Sequence, residues 1–477
     1  MSKLITLLLA MAINVPANAA ENGHAWSRFR GPNGSGIAID EKPPIEIGPE
    51  TNVKWKVPAP SGLSSPIIVG DQLVITAVDD RKLYTIAYDR ADGSEVWRAN
   101  APAGELEEHH KTEGSPAAST CATDGERIVS YFGSCGLFCY DLAGNELWKL
   151  ELPPASTLGN YGSGVSPVIA DDTVVLLRDE GNDSRIIALD ATTGDIKWEK
   201  TRTSKGGFST PVVWDTPTGK QIAAAGHRRL IGYDLQTGEE KWFVEGMPTA
   251  SCTSPVTAAG DLYFAAWSPG AAGDTAFKLP AFTLMLLGDA DSDGSLSKKE
   301  LQATPLKGFF DAIDENKDDA LTRAEWENTQ ALMAASKNRA FALKPGGSGD
   351  VTATHIKWQQ AGGLPYVPSG IVYEGQYVMV KDGGIVTAYD ATTGDELYQK
   401  RAVAAGDYYA SPVAANGHIY FSSLSDGTIT VLKAGSKTPE VVAKNPPLGE
   451  RLAATPAIAD DVLYVRTAGH LYAFSEQ

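Results

Sequence analysis

The sharpest chemistry in this chain lies in "DADSDGSLSKKE", Asp289 to Glu300. Asp289, Asp291 and Asp293 stand at positions 1, 3 and 5, Gly294 permits a sharp turn, Ser295 offers a carbonyl at position 7, and Glu300 closes the run at position 12. Alternating carboxylates followed by a long acidic side chain can wrap seven hard oxygens around one calcium, a shell too wide for magnesium. A second run, "DENKDDALTRAE", places Asp314, Asn316, Asp318, the Ala320 carbonyl and Glu325 at the same offsets. It has Asp319 where the first run has Gly294, and a side chain in left-handed backbone costs stability, so the second loop is expected to be the weaker. From 289 to 327 eleven Asp and Glu stand against five Lys and Arg, a net of −6 that repels itself unless a cation neutralises it.

Both runs match the EF-hand calcium loop; the alternative is an acidic, solvated helix pair. Leu296, at position 8 of the first loop, is the apolar residue that would pair with the second. Other chemistry-bearing residues are weaker candidates. "ELEEHHKTEG" at 105–114 sets His109 and His110 among carboxylates, but neighbouring side chains diverge on an extended chain, so a solvated loop is expected rather than a transition-metal site. Cys121, Cys135, Cys139 and Cys252 allow three full pairings; no second Cys/His pair accompanies 135 and 139, so zinc is not expected, and buried apolar roles are. No Ser/His/Asp or Cys/His set is legible among seven histidines and four cysteines, and no catalytic residue is assigned.

The elements that must position these residues are repeats. A unit opens with a hydroxyl residue, usually before Pro, then a short apolar strand and a tight turn: "SPIIVGDQLVI" at 65, "SPVIADDTVVLL" at 166, "SPVTAAGDLYFA" at 254. It closes with an acidic turn and an aromatic strand, as in "IAYDRADGSEVW" ending at Trp97 and "IALDATTGDIKW" ending at Trp198. Such punctuation fits four short antiparallel strands per unit. Aligned openings at Ser65, Ser115, Ser166, Thr210, Ser254, Ser369, Ser411 and Thr455 give eight units, one of them carrying an insertion. The last unit lacks its aromatic strand, which "NVKWKV" at 52–57 can supply, so an all-β, eight-bladed β-propeller closed by an N-terminal strand is expected, with a small α-helical insertion. The parts are a signal peptide at 1–19, an extension at 20–51, propeller at 52–267, the insertion at 268–339 and propeller again at 340–477. Hanging from a rim hairpin of blade five, the insertion is expected to leave the axis independent.

Paired Ser-Pro openings and "YDxxTGExxW" closings resemble the pyrroloquinoline-quinone-repeat family of eight-bladed propellers, which includes quinoprotein dehydrogenases and an outer-membrane assembly scaffold. "WSRFRGPNGSG" at 26–36 and "ERIVSYFGSCGLFCYDLAG" at 126–144 resemble a secreted branch of that superfamily more narrowly. The resemblance implies the fold. The family's enzymes carry axial acidic calcium ligands and often adjacent cysteines; this sequence has no adjacent cysteines, so pyrroloquinoline quinone is not expected.

Lys3, the apolar run Leu4 to Ile13 and Ala17-Asn18-Ala19 form an export signal, which points to a soluble periplasmic or extracellular protein. No later stretch is long enough to span a membrane. A net charge of −18 opposes phosphate backbones, so nucleic acid is not an expected partner. Loops entering the units carry Tyr161, Lys205, Phe208, Tyr366, Tyr408, Tyr409 and Arg451, which would gather at one axial mouth and suit a protein, peptide, glycan or quinone, the alternative being turn and core aromatics. The expectation is a monomeric, calcium-binding, non-catalytic binding or scaffolding module, with a quinone-dependent oxidoreductase as the alternative.

Overall fold

In the computed structural model, residues 26–181, 183–272, 278–302 and 304–476 are described. The export signal read at 1–19 lies outside them. Eight sheets follow one another along the chain as the blades of a propeller, antiparallel except that the short strand Gly349–Asp350 adds in parallel to the outer edge of the fourth. Blade 3 shows why the repeat folds this way. Its strands are Val168–Ala170, Thr173–Arg178, Arg185–Asp190 and Ile196–Thr201. Every residue of the second strand is buried, because neighbouring blades cover both its faces, whereas the outermost strand buries only Trp198. Uninterrupted apolar runs therefore mark the middle of a blade and lone aromatics its edge.

That aromatic ties each blade to the next. The indole Nε1 of Trp55, Trp97, Trp148, Trp198 and Trp358 donates to the carbonyl of Arg90, Leu142, Ala191, Leu235 and Ala391 respectively, each in the acidic turn of the following blade, at 2.9–3.0 Å. The ring lies flat over that turn's glycine. Gly194 has φ +76°, and a Cβ there would stand 2.7 Å from the Trp148 ring, so both conformation and space demand glycine. The last blade contains Ala457–Ala459, Val462–Arg466 and His470–Phe474, and the strand Val53–Pro58 pairs antiparallel with the third of these, Trp55 opposite Ala473.

A hydroxyl girdle surrounds the axis. The backbone N–H of each opening residue donates to the hydroxyl of the next blade's opening residue: Ser65 to Thr120, Thr120 to Ser166, Ser166 to Thr210, Ser254 to Ser369, Ser369 to Ser411, Ser411 to Thr455, and Thr455 back to Ser65, all at 2.8–3.0 Å. Thr120 thus holds the place that alignment gives to Ser115. Blade 2 has a longer entry loop, and the Ser115-Pro116 pair in it imitates an opening while its hydroxyl only caps Ala117 N–H at 3.1 Å. The girdle's irregular step lies between blades 4 and 5, where the Ser254 hydroxyl is buried without a partner. There the outer-strand indole, Trp242, turns to Gln221 of its own blade, and Trp214 supplies the bond to Gly260.

The segment from Trp26 to Ala38 crosses the channel. Ile68 N–H donates to Trp26 O, Thr123 N–H to Ser27 O, Arg30 Nη2 to Gly370 O, and Ala414 N–H to Gly36 O. Those partners belong to blades 1, 2, 6 and 7, so one irregular segment bridges the ring and plugs it beside the inner strands.

Candidate functional site

The plug makes the axial channel a blind cavity of about 190 Å³. Its floor is Phe29 and the girdle hydroxyls, and its walls are Tyr161, Phe208, Tyr366 and Tyr409, with Cys252 and Glu113 beside them. The aromatics are braced from behind. Tyr161 meets Phe208 edge-on with ring centres 6.1 Å apart and stacks on His110 at 5.3 Å; Tyr366 stands edge-on to Trp267 at 5.5 Å; the Arg451 guanidinium lies 5.5 Å from the Tyr409 ring centre. Burial, and then the nearby Glu113 carboxylate, push the Tyr409 phenol up, so it remains a neutral donor. Among the described lining residues Glu113 is the one carboxylate. The described lining therefore offers flat apolar faces, hydroxyls and one charge, a set suited to binding.

Sequence reasoning placed Tyr161, Phe208, Tyr366, Tyr409 and Arg451 at this mouth, and the structure brings them together. Lys205 and Tyr408 depart from it. Lys205 turns to the insertion, donating to Ala312 O at 3.0 Å, and Tyr408 is buried between blades 6 and 7 with its hydroxyl donating to Ala404 O at 2.6 Å. Phe29, Glu113, Cys252 and the girdle were missed as lining residues. The repeated opening hydroxyl was the available signal for the girdle; nothing periodic marked Phe29. All four cysteines are free thiols, three of them buried. His109 and His110 diverge: His109 Nδ1 lies 3.1 Å from Glu107 O, while His110 Nδ1 accepts from Glu113 N–H.

Glu107, behind the cavity wall, is the most perturbed carboxyl there. Burial pushes it up to about 7, against bonds from the Ser163 hydroxyl at 2.7 Å and Ser163 N–H at 3.2 Å; its other oxygen has no partner. A folded-state value above the ordinary 4.5 means the native protein holds this proton more tightly than the unfolded chain. The stabilisation is complete below about pH 4.5 and is lost as pH rises through about 7. Glu107→Gln is therefore expected to flatten the fall in melting temperature between pH 5 and pH 8, recovering on the order of 3 kcal/mol at pH 8. Parallel pH profiles for mutant and wild type would remove Glu107 from the account.

The chain leaves blade 5 after Asp261–Ala266 and returns as Arg339–Leu343. Between them the two acidic loops lie side by side: Leu296 pairs with Leu321 and Ser297 with Ala320, joining position 8 of each loop across a short antiparallel ladder. A small core of Phe282, Leu296, Leu301, Phe310, Ile313, Leu321 and Trp326 lies beneath. In the first loop, carboxylate oxygens of Asp289, Asp291 and Asp293 come within 4.8 Å of one another. Asp289 accepts from Ser292 and Gly294 N–H, Asp293 from Ser295 N–H, and Glu300 from Ala290 and Ser297. Hydrogen bonds from Ser297 and Ala290 hold Glu300 down to about 2, so it stays ionised. In the second loop, Asp314 accepts from Lys317 and Asp319 N–H, Asn316 from Asp318 N–H, Asp318 from Ala320 N–H, and Glu325 from Glu315 and Thr322 N–H. Asp319 has φ +62°, the left-handed backbone that Gly294 takes at +86°. Glu325 also completes the capping box of the helix Arg323–Ala335 with Thr322.

The insertion does not stay clear of the axis, contrary to the sequence expectation. Its turn Pro305–Phe309 packs on the turn Leu158–Asn160, next to the cavity residue Tyr161. Lys205 also approaches Glu315 at 3.8 Å, and Lys307 approaches Glu108 at 3.9 Å. The physical reason is strand parity. A hairpin between second and third strands emerges on the face where inner strands begin, and that face carries the mouth.

The profile of the family described as "Outer membrane protein assembly factor BamB" matches residues 50–161, 84–263 and 311–477. The chain belongs to this family. A relative of that name from Burkholderia pseudomallei (strain K96243) is 23% identical over 428 residues, covering 86% of this chain and 83% of the relative. Among solved structures, BamB from Moraxella catarrhalis superposes with a TM-score of 0.53 at 13% identity, covering 88% of this chain and 96% of that one. The computationally designed Ika8 protein gives 0.55 at 12% identity, covering 89% and 100%. These likenesses establish the all-β eight-bladed propeller. No helix among the described residues is long and apolar enough to cross a membrane.

Proposed function

We propose that this chain is a non-catalytic, calcium-binding propeller of the periplasm or cell exterior that binds a protein partner through its axial cavity. The observation that carries this reading is the blind, aromatic-walled cavity with its single carboxylate. Such a cup takes a protruding apolar or aromatic side chain of a partner, while Glu113 accepts a hydrogen bond at the rim. The curated relative's name, an assembly factor, supports a protein as occupant. The apolar run Leu4 to Ile13 before Ala17-Asn18-Ala19 supports export. Ring closure through Val53–Pro58 and calcium in the two acidic loops complete the proposal: the first makes the cavity rigid, the second fastens the insertion beside its mouth.

Peptides selected on the wild-type protein provide the test. Tyr366→Ala and Phe208→Ala are expected to weaken the selected peptides at least tenfold, the cost of removing one well-packed aromatic anchor. Peptides whose affinity ignores both substitutions would move the binding surface away from the axis. Reduction of an artificial electron acceptor on adding pyrroloquinoline quinone and calcium would instead favour the oxidoreductase reading.

A further inference from the structure

The axial cavity is built in tiers that differ in chemistry. Each blade lines it with the residue two places before its opening hydroxyl, because side chains two apart on an extended chain share a face. That collar consists of Leu63, Phe208, Cys252, Val367 and Tyr409, with Ala or Gly from the other three blades. It lies next to the girdle and carries no charged side chain.

The entry loops of blades 2, 3 and 6 add Glu113, Tyr161 and Tyr366 to the lining, and Glu113 is exposed, so the one carboxylate stands at the mouth. Burial first, with Glu113 among the further causes, pushes up the Tyr161, Tyr366 and Tyr409 phenols and the Cys252 thiol. All four are therefore neutral groups within the field of one anion, and the Tyr409 hydroxyl hydrogen-bonds to it. Among the described residues Glu113 has no ion pair; the Arg451 guanidinium lies over the Tyr409 ring instead, 5.5 Å from its centre.

An unpaired carboxylate among aromatic faces attracts a cation, through its charge and through the ring quadrupoles. The order of the tiers decides which cation. A lysine or arginine side chain carries its charge at the tip, so seating it would push that charge past Glu113 into the uncharged collar, where its desolvation is uncompensated. The amino terminus of a chain carries its charge at the base of the first side chain, so an apolar side chain can fill the collar while the ammonium stays level with Glu113. An apolar cavity of roughly 150 Å³ holds one benzene ring. This one, about 190 Å³ with its floor closed by Phe29, takes one ring-sized side chain and no chain passing through.

We infer that the cavity receives the free amino terminus of a partner chain, with an apolar first side chain in the collar and the α-ammonium held by the Glu113 carboxylate beside the Tyr161, Tyr366 and Tyr409 rings. This rests on the reading of the cavity as a protein-binding surface and names the part of the partner that enters it.

The probe is phenylalanyl-trialanine amide with its amino terminus free or acetylated, titrated into the full chain by calorimetry. The free form is expected to bind about tenfold tighter or more. Glu113→Gln should erase that difference, and because Glu113 is exposed the variant should melt as the wild type does. Phe208→Ala should weaken the free form yet keep the preference for it, since that change acts on the seat of the side chain alone. The inference is overturned by absence of binding at millimolar concentration, by equal affinity of the two forms, or by a preference that persists in Glu113→Gln. An acetylated peptide with an internal lysine that binds as tightly as the free terminus overturns it too. Peptides selected on the wild type that need Tyr366 and Phe208 but tolerate acetylation overturn this inference and keep the protein-binding reading, whereas selected peptides that ignore both rings overturn both.

Discussion

Calcium added to chelator-stripped protein is expected to give saturable binding heat that Glu300→Gln loses at the first loop. Three carboxylates already face one point there, and Glu300 is held ionised by Ser297 and Ala290, so the ligand cage needs little rearrangement. Converting Glu300 to an amide removes a charge and the bidentate closure, and affinity at that loop should fall on the order of 100-fold, at the upper end of what even outer-shell changes cost. Glu325→Gln is expected to reduce binding heat less, because Asp319 in left-handed backbone already weakens the second loop; it should lower helix content too, because Glu325 caps Arg323–Ala335. The readouts separate: calorimetry reports the first change, and far-ultraviolet circular dichroism adds the second. Calcium should also protect the amides of Leu158–Asn160 from hydrogen exchange, since that turn packs on the insertion. Absence of binding heat in the wild type, or undiminished heat in Glu300→Gln, would sink the calcium reading. Exchange at Leu158–Asn160 indifferent to calcium would confine the ion's effect to the insertion.

Trp55→Ala is expected to destabilise the propeller by about 3–5 kcal/mol, the range for deleting a buried tryptophan. Trp55 is 7% exposed, lies opposite Ala473 in the last blade, and hands its indole N–H to Arg90 O in the first blade at 2.9 Å. Its ring covers Gly93, whose φ of +77° and lack of a side chain make the seat. One residue thus bonds the two ends of the ring, where Arg466 also spans the seam, from blade 8 to Ser64 O and Thr76 O at 2.9–3.0 Å. Trp326→Ala supplies the contrast: that indole is fully buried, but inside the insertion, so its loss should unfold the insertion and leave the propeller's denaturant midpoint in place. Val96→Ala, on an outer strand and half exposed, should shift nothing beyond about 0.5 kcal/mol. A midpoint for Trp55→Ala equal to that of Val96→Ala would show that the seam is not a point of strength.

The blades were legible because their information is local. Each unit repeats the same turn residues, the same apolar strand and the same closing aromatic, and each interaction connects a residue to its counterpart one period away, as Trp148 to Ala191 or Ser166 to Thr210. A signal repeated eight times survives local noise. It failed at Ser115, where a longer loop carried the unit's hydroxyl-proline pair while the true opening, Thr120, precedes Cys121 and only the girdle's geometry selected it. The acidic loops were legible for a similar reason, since every offset within Asp289–Glu300 is short-range.

Tertiary structure alone decided the rest. Trp26 to Ala38 has no periodicity, and its partners lie from about 40 to more than 370 residues away, at Ile68 and at Ala414, so neither its route through the channel nor the burial of Arg30 could be read from spacing. The insertion's face was fixed by strand parity, yet its landing place on Leu158–Asn160 and Lys205 depends on the direction in which a small core of Phe310 and Trp326 carries it. The sequence by itself determined which units exist and where the two acidic loops lie, because those are questions of local conformation. Which mouth residues face the cavity, and what closes its floor, are set by packing between segments far apart in the chain, where one plug crossing eight blades leaves no repeated pattern to read.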